Sequence, residues 1–237
     1  CIRPAAADAA AAIRALLAEK DEINMIFAAA PSQNEFLAAL AADASVDFTR
    51  INAFHMDEYI GLPASAPQGF ANFLRRALFE KAPFKSVHTL DCEARDAGAE
   101  CARYAALLQQ HPCDIVCMGI GENGHIAFNE PGDDFGLETH LVSLTENTIE
   151  ATARFFASRD EVPRHALSMG IKNIMNARRI LIVVNGEEKA EAVYQAFCGP
   201  VTKQVPASVL QLHPDVTLVG DKAALHKLAE AGETVCG

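Results

Sequence analysis

Short apolar runs that alternate with longer helical patterns constrain this chain more than any other feature. The runs read 23–29 "INMIFAA", 49–55 "TRINAFH", 114–119 "DIVCMG", 179–184 "RILIVV" and 216–219 "VTLV", with a weaker one at 86–90 "SVHTL". Each is too short for a buried helix and too continuous for a strand with one wet face. Such strands belong in a parallel sheet covered on both sides. The intervening patterns predict helices over 5–19, 34–43, 68–80, 93–111, 147–157, 187–197, 205–212 and 222–231, with Asn185 and Asp221 as N-cap residues. The expected fold is α/β: a Rossmann-like three-layer α/β/α arrangement with a mostly parallel central sheet. At 237 residues, without repeats, low-complexity linkers or charge blocks, a single domain over 1–237 is expected.

Open parallel sheets bind ligands beyond the carboxyl ends of their strands. The residues just after each run are therefore informative. After 23–29 comes "APSQNE", after 49–55 "MDEYIGLP", after 114–119 "GENGHIAFNEPG" and after 179–184 "NGEEK". Polar, turn-forming groups from four distant places are thus brought to one rim.

Within these segments Asp57 stands among Phe54, Met56 and Tyr59, where apolar neighbours raise a carboxyl pKa toward that of a useful general base. The alternative is an aspartate capping the next turn. His125 is the side chain suited to moving protons near neutral pH, and Glu130, five residues on, is placed to orient it. Gly119, Gly121 and Gly124 form a G-x-G-x-x-G pattern after a strand. However, no acidic residue stands about 20 positions later at the end of a second strand, and "HIAFNEPG" is a poor helix start, so a dinucleotide site is disfavoured. His55, Asp57 and Glu58 lack further ligands for a metal. Arg154 and Lys189 are candidate anion clamps.

The net charge of −11 gives no general reason to bind nucleic acid or anionic lipid, so an anionic substrate requires a local cluster of cations and amides. No apolar run is long enough to span a membrane. The alanine-rich opening reads as an amphipathic helix rather than a signal peptide, and the start at Cys1 without methionine points to a trimmed or renumbered terminus. Seven cysteines at scattered spacing read as reduced thiols of a cytoplasmic protein.

Together, "FHMDEYIGLP", "GIGENGHIAFNEPG", "TARFF" and "SVLQLHPDV" resemble the glucosamine-6-phosphate deaminase/isomerase family, in family order, from about residue 20 to 220. The resemblance implies conversion of glucosamine 6-phosphate and water to fructose 6-phosphate and ammonia, without metal or organic cofactor. It implies that Asp57 is the base that moves a proton between carbons 2 and 1 and that His125 opens the sugar ring. Glu130 becomes the carboxylate partner of His125 and Asn123 a relay position. Arg154 and Lys189 become the phosphate-binding cations. The partner is a small amino-sugar phosphate, and a homo-oligomer is left open.

One departure concerns the first loop. The family's glycine- and threonine-rich phosphate cradle is replaced by Ala29-Ala30-Pro31-Ser32-Gln33, without glycine and with a proline that has no N–H. Ser32, Gln33 and the helix start at 32–35 are expected to rebuild the donors. The alternatives are a paralogue acting on another amino-sugar phosphate and a sugar-phosphate-sensing effector domain.

Overall fold

The computed structural model describes residues 3–232. Its strands are β1 (Ile23–Phe27), β2 (Ile51–His55), β3 (Asp57–Tyr59), β4 (Ser86–His88), β5 (Ile115–Met118), β6 (His140–Ser143), β7 (His165–Ser168), β8 (Arg179–Val184) and β9 (Val216–Gly220). Its α-helices are α1 (Arg3–Glu19), α2 (Asn34–Ala41), α3 (Phe70–Leu74), α4 (Ala97–Gln110), α5 (Glu146–Thr152), α6 (Ile171–Met175), α7 (Ala190–Cys198) and α8 (Lys222–Glu230).

Six strands form the central sheet in the order β4-β2-β1-β5-β8-β9, with every neighbouring pair parallel. The pleat explains the continuous apolar runs. Along β5, Ile115 and Cys117 enter one core with Met25, Phe27, Leu181 and Val183, beneath α1 and α2. Val116 and Met118 enter the other core with Ile26, Ile180 and Ile182, beneath α4, α7 and α8. Neither face of the strand is wet, so neither can be polar. The result is the expected three-layer α/β/α arrangement.

The expected helices differ in detail. The pattern at 68–80 resolves into α3 followed by a π-helical turn at Arg75–Phe79. The segment at 205–212 is a 3₁₀ helix, Pro206–Leu212. Asp221 caps α8 by accepting from Ala224 N at 2.8 Å. Asn185 caps nothing: the 3₁₀ turn beyond it, Glu187–Lys189, starts from Gly186 at φ +92°, a left-handed conformation that glycine adopts without strain.

A second sheet, not expected from the sequence, runs β3-β7-β6 and is antiparallel. It hangs beside the carboxyl end of β2, from which Met56 leads directly into β3. Tyr59, Phe128, Val142, Ile149 and Ala166 make a third, smaller core under it. This sheet walls one side of the cavity at the carboxyl edge of the central sheet.

Among the described residues, no helix is long and apolar enough to cross a membrane. Cys92, Cys101, Cys113 and Cys117 carry free thiols, whereas Cys1 and Cys236 lie outside the described residues.

Candidate active site

Loops after β1, β5 and β8 meet the β3 wall around a cavity of about 280 Å³. Asp57, Asn123, His125, Ser32, Arg154 and Lys189 all line it. Residues from five separate stretches of sequence thus converge at the carboxyl edge of the sheet, as expected for this architecture.

Asp57 occupies the first position of β3, opposite Ser168 of β7. It is 8 % exposed. Burial, reinforced by the neighbouring Glu58, pushes its pKa up to about 8. Glu58 points the other way along the pleat. There it accepts N–H groups from Tyr59 at 3.0 Å, Phe70 at 2.9 Å and Ala71 at 2.8 Å. Glu58 therefore fastens the start of α3 to β3 and is committed to structure. His55, wholly buried, lies 4.0 Å from Glu58, and burial holds its pKa down at about 3. Among the described residues, no three His, Cys, Asp or Glu side chains converge as metal ligands.

The loop after β5 is folded around His125. Gly121 N donates to His125 O at 2.8 Å, and Gly124 N to Gly121 O at 2.9 Å. The imidazole lies so close over Gly121 that a Cβ there would sit 2.2 Å from it. Gly124 takes φ +82°, and Ala127 holds φ +50°, a conformation uncommon outside glycine. These glycines therefore serve a tight turn and a close approach rather than a dinucleotide.

His125 and Glu130 do not touch directly, contrary to the expectation from sequence. Asn123 lies between them: its Nδ2 donates to Glu130 Oε2 at 2.9 Å, and its Oδ1 lies 2.7 Å from His125 Nδ1. Glu130, 5 % exposed, sits behind the cavity wall and also accepts from the Thr148 hydroxyl. The carboxylate claims the amide N–H, which leaves the amide oxygen as acceptor toward the ring. Nδ1 must then carry the proton, and Nε2 is left as the free base. Burial lowers the His125 pKa, against the opposing pull of Glu130. The shift favours the neutral ring.

Lys189 ends the 3₁₀ turn after β8, rather than lying in the first turn of an α-helix, and α7 begins at the next residue. Burial is the chief cause of its lowered pKa; nearby Glu122 and Glu188 oppose the shift, and Arg154 adds to it. The two cations therefore face the same space. Arg154 follows α5, with its guanidinium 4.9 Å from the centre of the Phe155 ring.

The first loop differs from expectation. Ser32 lines the cavity, but Gln33 does not. Gln33 is 1 % exposed, and its Nε2 donates to Val183 O at 3.0 Å. A carbonyl at the end of a buried strand needs a donor, and this amide supplies it. The helix start also offers fewer free donors than expected. A 3₁₀ turn at Pro31–Gln33 precedes α2 and consumes the Gln33 and Asn34 N–H groups on the Ala30 and Pro31 carbonyls. Of the expected phosphate-binding residues, Ser32, Arg154 and Lys189 face the cavity.

Two further residues were overlooked in the sequence. Glu122 lines the cavity beside Lys189. Thr148 both lines the cavity and anchors Glu130. The signal for Thr148 was its spacing: Thr148 and Thr152 lie on one face of α5, ahead of "ARFF".

A family model described as glucosamine-6-phosphate isomerases/6-phosphogluconolactonase matches residues 1–219. The glucosamine-6-phosphate deaminase of Lactobacillus helveticus is 44% identical over 209 residues, covering 88% of this chain and 87% of that one. That of Listeria welshimeri is 48% identical over 203 residues, covering 86% and 87%. Among solved structures, a monomeric glucosamine-6-phosphate deaminase superposes with a TM-score of 0.87 at 36% identity, covering 95% of each chain. A 6-phosphogluconolactonase from Thermotoga maritima shares the fold, with a TM-score of 0.76 at 18% identity, over 93% of this chain and 95% of that one.

Proposed function

The chain belongs to the glucosamine-6-phosphate isomerase/6-phosphogluconolactonase family, and from that premise we propose that its cavity converts glucosamine 6-phosphate and water to fructose 6-phosphate and ammonia. The observation that carries this reading is the pairing of two proton-handling groups across one small cavity. Asp57 is a carboxyl whose pKa is pushed up to about 8, and His125 is a neutral imidazole with Nε2 free.

The chemistry divides between them. With the phosphate held by Ser32, Arg154 and Lys189, His125 Nε2 takes the proton of the ring's O1 hydroxyl and delivers it to O5. The C1–O5 bond breaks, and the sugar becomes an open-chain aldehyde. Asp57 then removes the proton from C2 while O1 takes a proton from the substrate's own ammonium group, giving an enolamine, and Asp57 returns its proton to C1 to leave a C2 iminium. Water adds to the iminium carbon, a proton passes from the added water to nitrogen, and the C–N bond breaks to release ammonia and the ketone. Taking a proton from carbon demands a stronger base than an ordinary carboxylate, and burial supplies that strength. A general base of this kind contributes roughly 10²–10⁴-fold. Asn123 and Glu130 hold the imidazole in the tautomer that the first step needs.

All these residues come from one chain. The free thiols at Cys92, Cys101, Cys113 and Cys117 support a reducing compartment, the cytoplasm, as the place of action.

The test is ammonia release across a panel of 2-amino-2-deoxy-sugar 6-phosphates. Glucosamine 6-phosphate is expected to be turned over with the highest kcat/KM. Preference for the galactosamine epimer would reassign the substrate. Binding without ammonia release from any member would favour a sensor.

A further inference from the structure

Asp57 and His125 stand on segments that are tied together at the end of β7. On one side, β3 pairs with β7, and Asp57 lies directly opposite Ser168, so their side chains share a face. Met169 N, one residue on, donates to Met56 O at 2.8 Å. On the other side, Ser168 Oγ accepts the Phe128 N–H at 3.0 Å. Its own proton goes to Met169 O, also at 3.0 Å. The same carbonyl accepts from Asn129 Nδ2 at 2.9 Å. Ser168 and Asn129 are wholly buried. Among the described residues, β3 and the loop after β5 share no direct hydrogen bond, so β7 supplies the link.

Between His125 and Phe128 lies Ala127, a lining residue of the cavity with φ +50°. Its Cβ disfavours that left-handed conformation, which lasts only where the surroundings fix it. Both flanks are fixed. On the near side, Ile126 O accepts from Asn129 N at 3.1 Å and from Asn129 Nδ2 at 2.8 Å. On the far side, the direction of the Phe128 N–H follows from the Ala127 backbone angles, and Ser168 holds it. Phe128 is 5 % exposed, so without that hydroxyl its N–H would be stranded. The simplest relief is for Ala127 to leave the left-handed region and turn the peptide, shifting the chain that carries His125. Asp57 would not follow. Its strand is held to β7 by backbone bonds, Met169 N to Met56 O and Ile60 N to His165 O at 3.2 Å, which do not use the Ser168 side chain.

Resting on the deaminase reading of the cavity, we propose that Ser168 is a positioning residue: its hydroxyl holds Ala127 in the left-handed conformation and thereby sets where the His125 ring stands relative to Asp57. Ser168 does not itself line the cavity. It acts on the reaction through the histidine loop.

The experiment compares Ser168→Ala with the parent protein in turnover of glucosamine 6-phosphate and in nitrogen NMR of the His125 ring. We expect kcat to fall by about tenfold or more, within the roughly 10²-fold that a misplacement of about 1 Å can cost, with KM little changed. The His125 signals are expected to move. The rise of kcat/KM with pH that Asp57 governs is expected to stay where it is. Ala127→Gly, added to Ser168→Ala, is expected to return both kcat and the His125 signals toward the parent, because glycine takes the left-handed conformation without strain. A folded Ser168→Ala protein with parental kcat or unmoved His125 signals would overturn the assignment. So would a shifted pH dependence, which would place the effect on Asp57, or a double variant as impaired as the single one. If Ser168→Ala does not fold, the two readouts on the double variant decide. Departure of kcat and the His125 signals together, or of neither, supports the assignment, and departure of one alone overturns it. If the parent releases no ammonia from glucosamine 6-phosphate, the deaminase reading is what fails.

Discussion

Asn123 Oδ1 lies 2.7 Å from His125 Nδ1, and the same amide gives its N–H to Glu130. A carboxylate buried behind the wall thus dictates, through a neutral amide, which nitrogen of the histidine is left without the proton. The amide passes on orientation without bringing a second charge to the ring.

Asn123→Leu keeps much of the volume and removes the bonds to Glu130 and the His125 ring, together with the one that Asn123 Oδ1 accepts from His125 N at 3.1 Å. The Nδ1–H tautomer loses its acceptor, and Glu130 keeps only the Thr148 hydroxyl. We expect kcat to fall about 10²-fold, at the lower end of what a positioned acid–base group supplies, with little change in KM. Nitrogen NMR of His125 should show a loss of the Nδ1–H form. An unchanged tautomer ratio would remove Asn123 from this role.

Ring opening also proceeds slowly in water, so His125→Gln should discriminate between forms of the substrate. Turnover of the cyclic sugar is expected to fall more than turnover of a substrate supplied in open-chain form. Equal losses on both would show that the imidazole acts elsewhere in the reaction.

Asp57 makes a prediction about pH in two directions. As a base it must be ionised, so kcat/KM of the free enzyme should rise with pH toward about 8. Stability should move the opposite way. The folded carboxyl keeps its proton up to about 8, while the unfolded one releases it near 3.8. Between these values the native state binds more protons, and stability falls as pH rises. Asp57→Asn, neutral throughout, should unfold at a higher temperature than the parent at pH 8 and at nearly the same temperature below pH 3.8. Its activity should drop by roughly 10²–10⁴-fold. A variant no more stable than the parent at pH 8 would mean that the carboxyl is not held in an unfavourable charged state.

The first loop separates binding from architecture. Ser32→Ala should weaken substrate binding by about 1.5–3 kcal/mol, the worth of a hydrogen bond to a charged group, and Arg154→Ala by more. Both should leave the melting temperature nearly unchanged, because both side chains face the cavity. Gln33→Ala should do the reverse. It strands the Val183 carbonyl in the core, so the melting temperature should fall. A Gln33→Ala protein that melts normally but fails to hold substrate would return Gln33 to the binding site.

The central sheet was legible in the sequence because both faces of its strands are buried. The run at 179–184 coincides with β8, and those at 23–29 and 114–119 lose only their ends to loops. The second sheet was not legible, because β3, β6 and β7 are three or four residues long and carry polar groups. "DEY" and "HLVS" show too little periodicity to read as strands, and their pairing is settled by tertiary contact alone. Cavity residues were readable wherever chemistry constrains residue type, as at Asp57, His125, Arg154 and Lys189. Side-chain direction was not: Gln33 and Ser32 are neighbours, yet one turns into the core and the other into the cavity. Nor does spacing reveal that an asparagine stands between a histidine and a glutamate.

The bond from Gln33 to Val183 joins segments 150 residues apart. The loop bearing Ser32 is therefore fastened to a strand that leaves the ribosome long after it. Until β8 has been made and has docked beside β5, the loop lacks this tie, and Lys189 is not yet in place. Capacity to hold a sugar phosphate should thus arrive late and all at once, making ligand capture by nascent chains of increasing length a gauge of when the sheet closes.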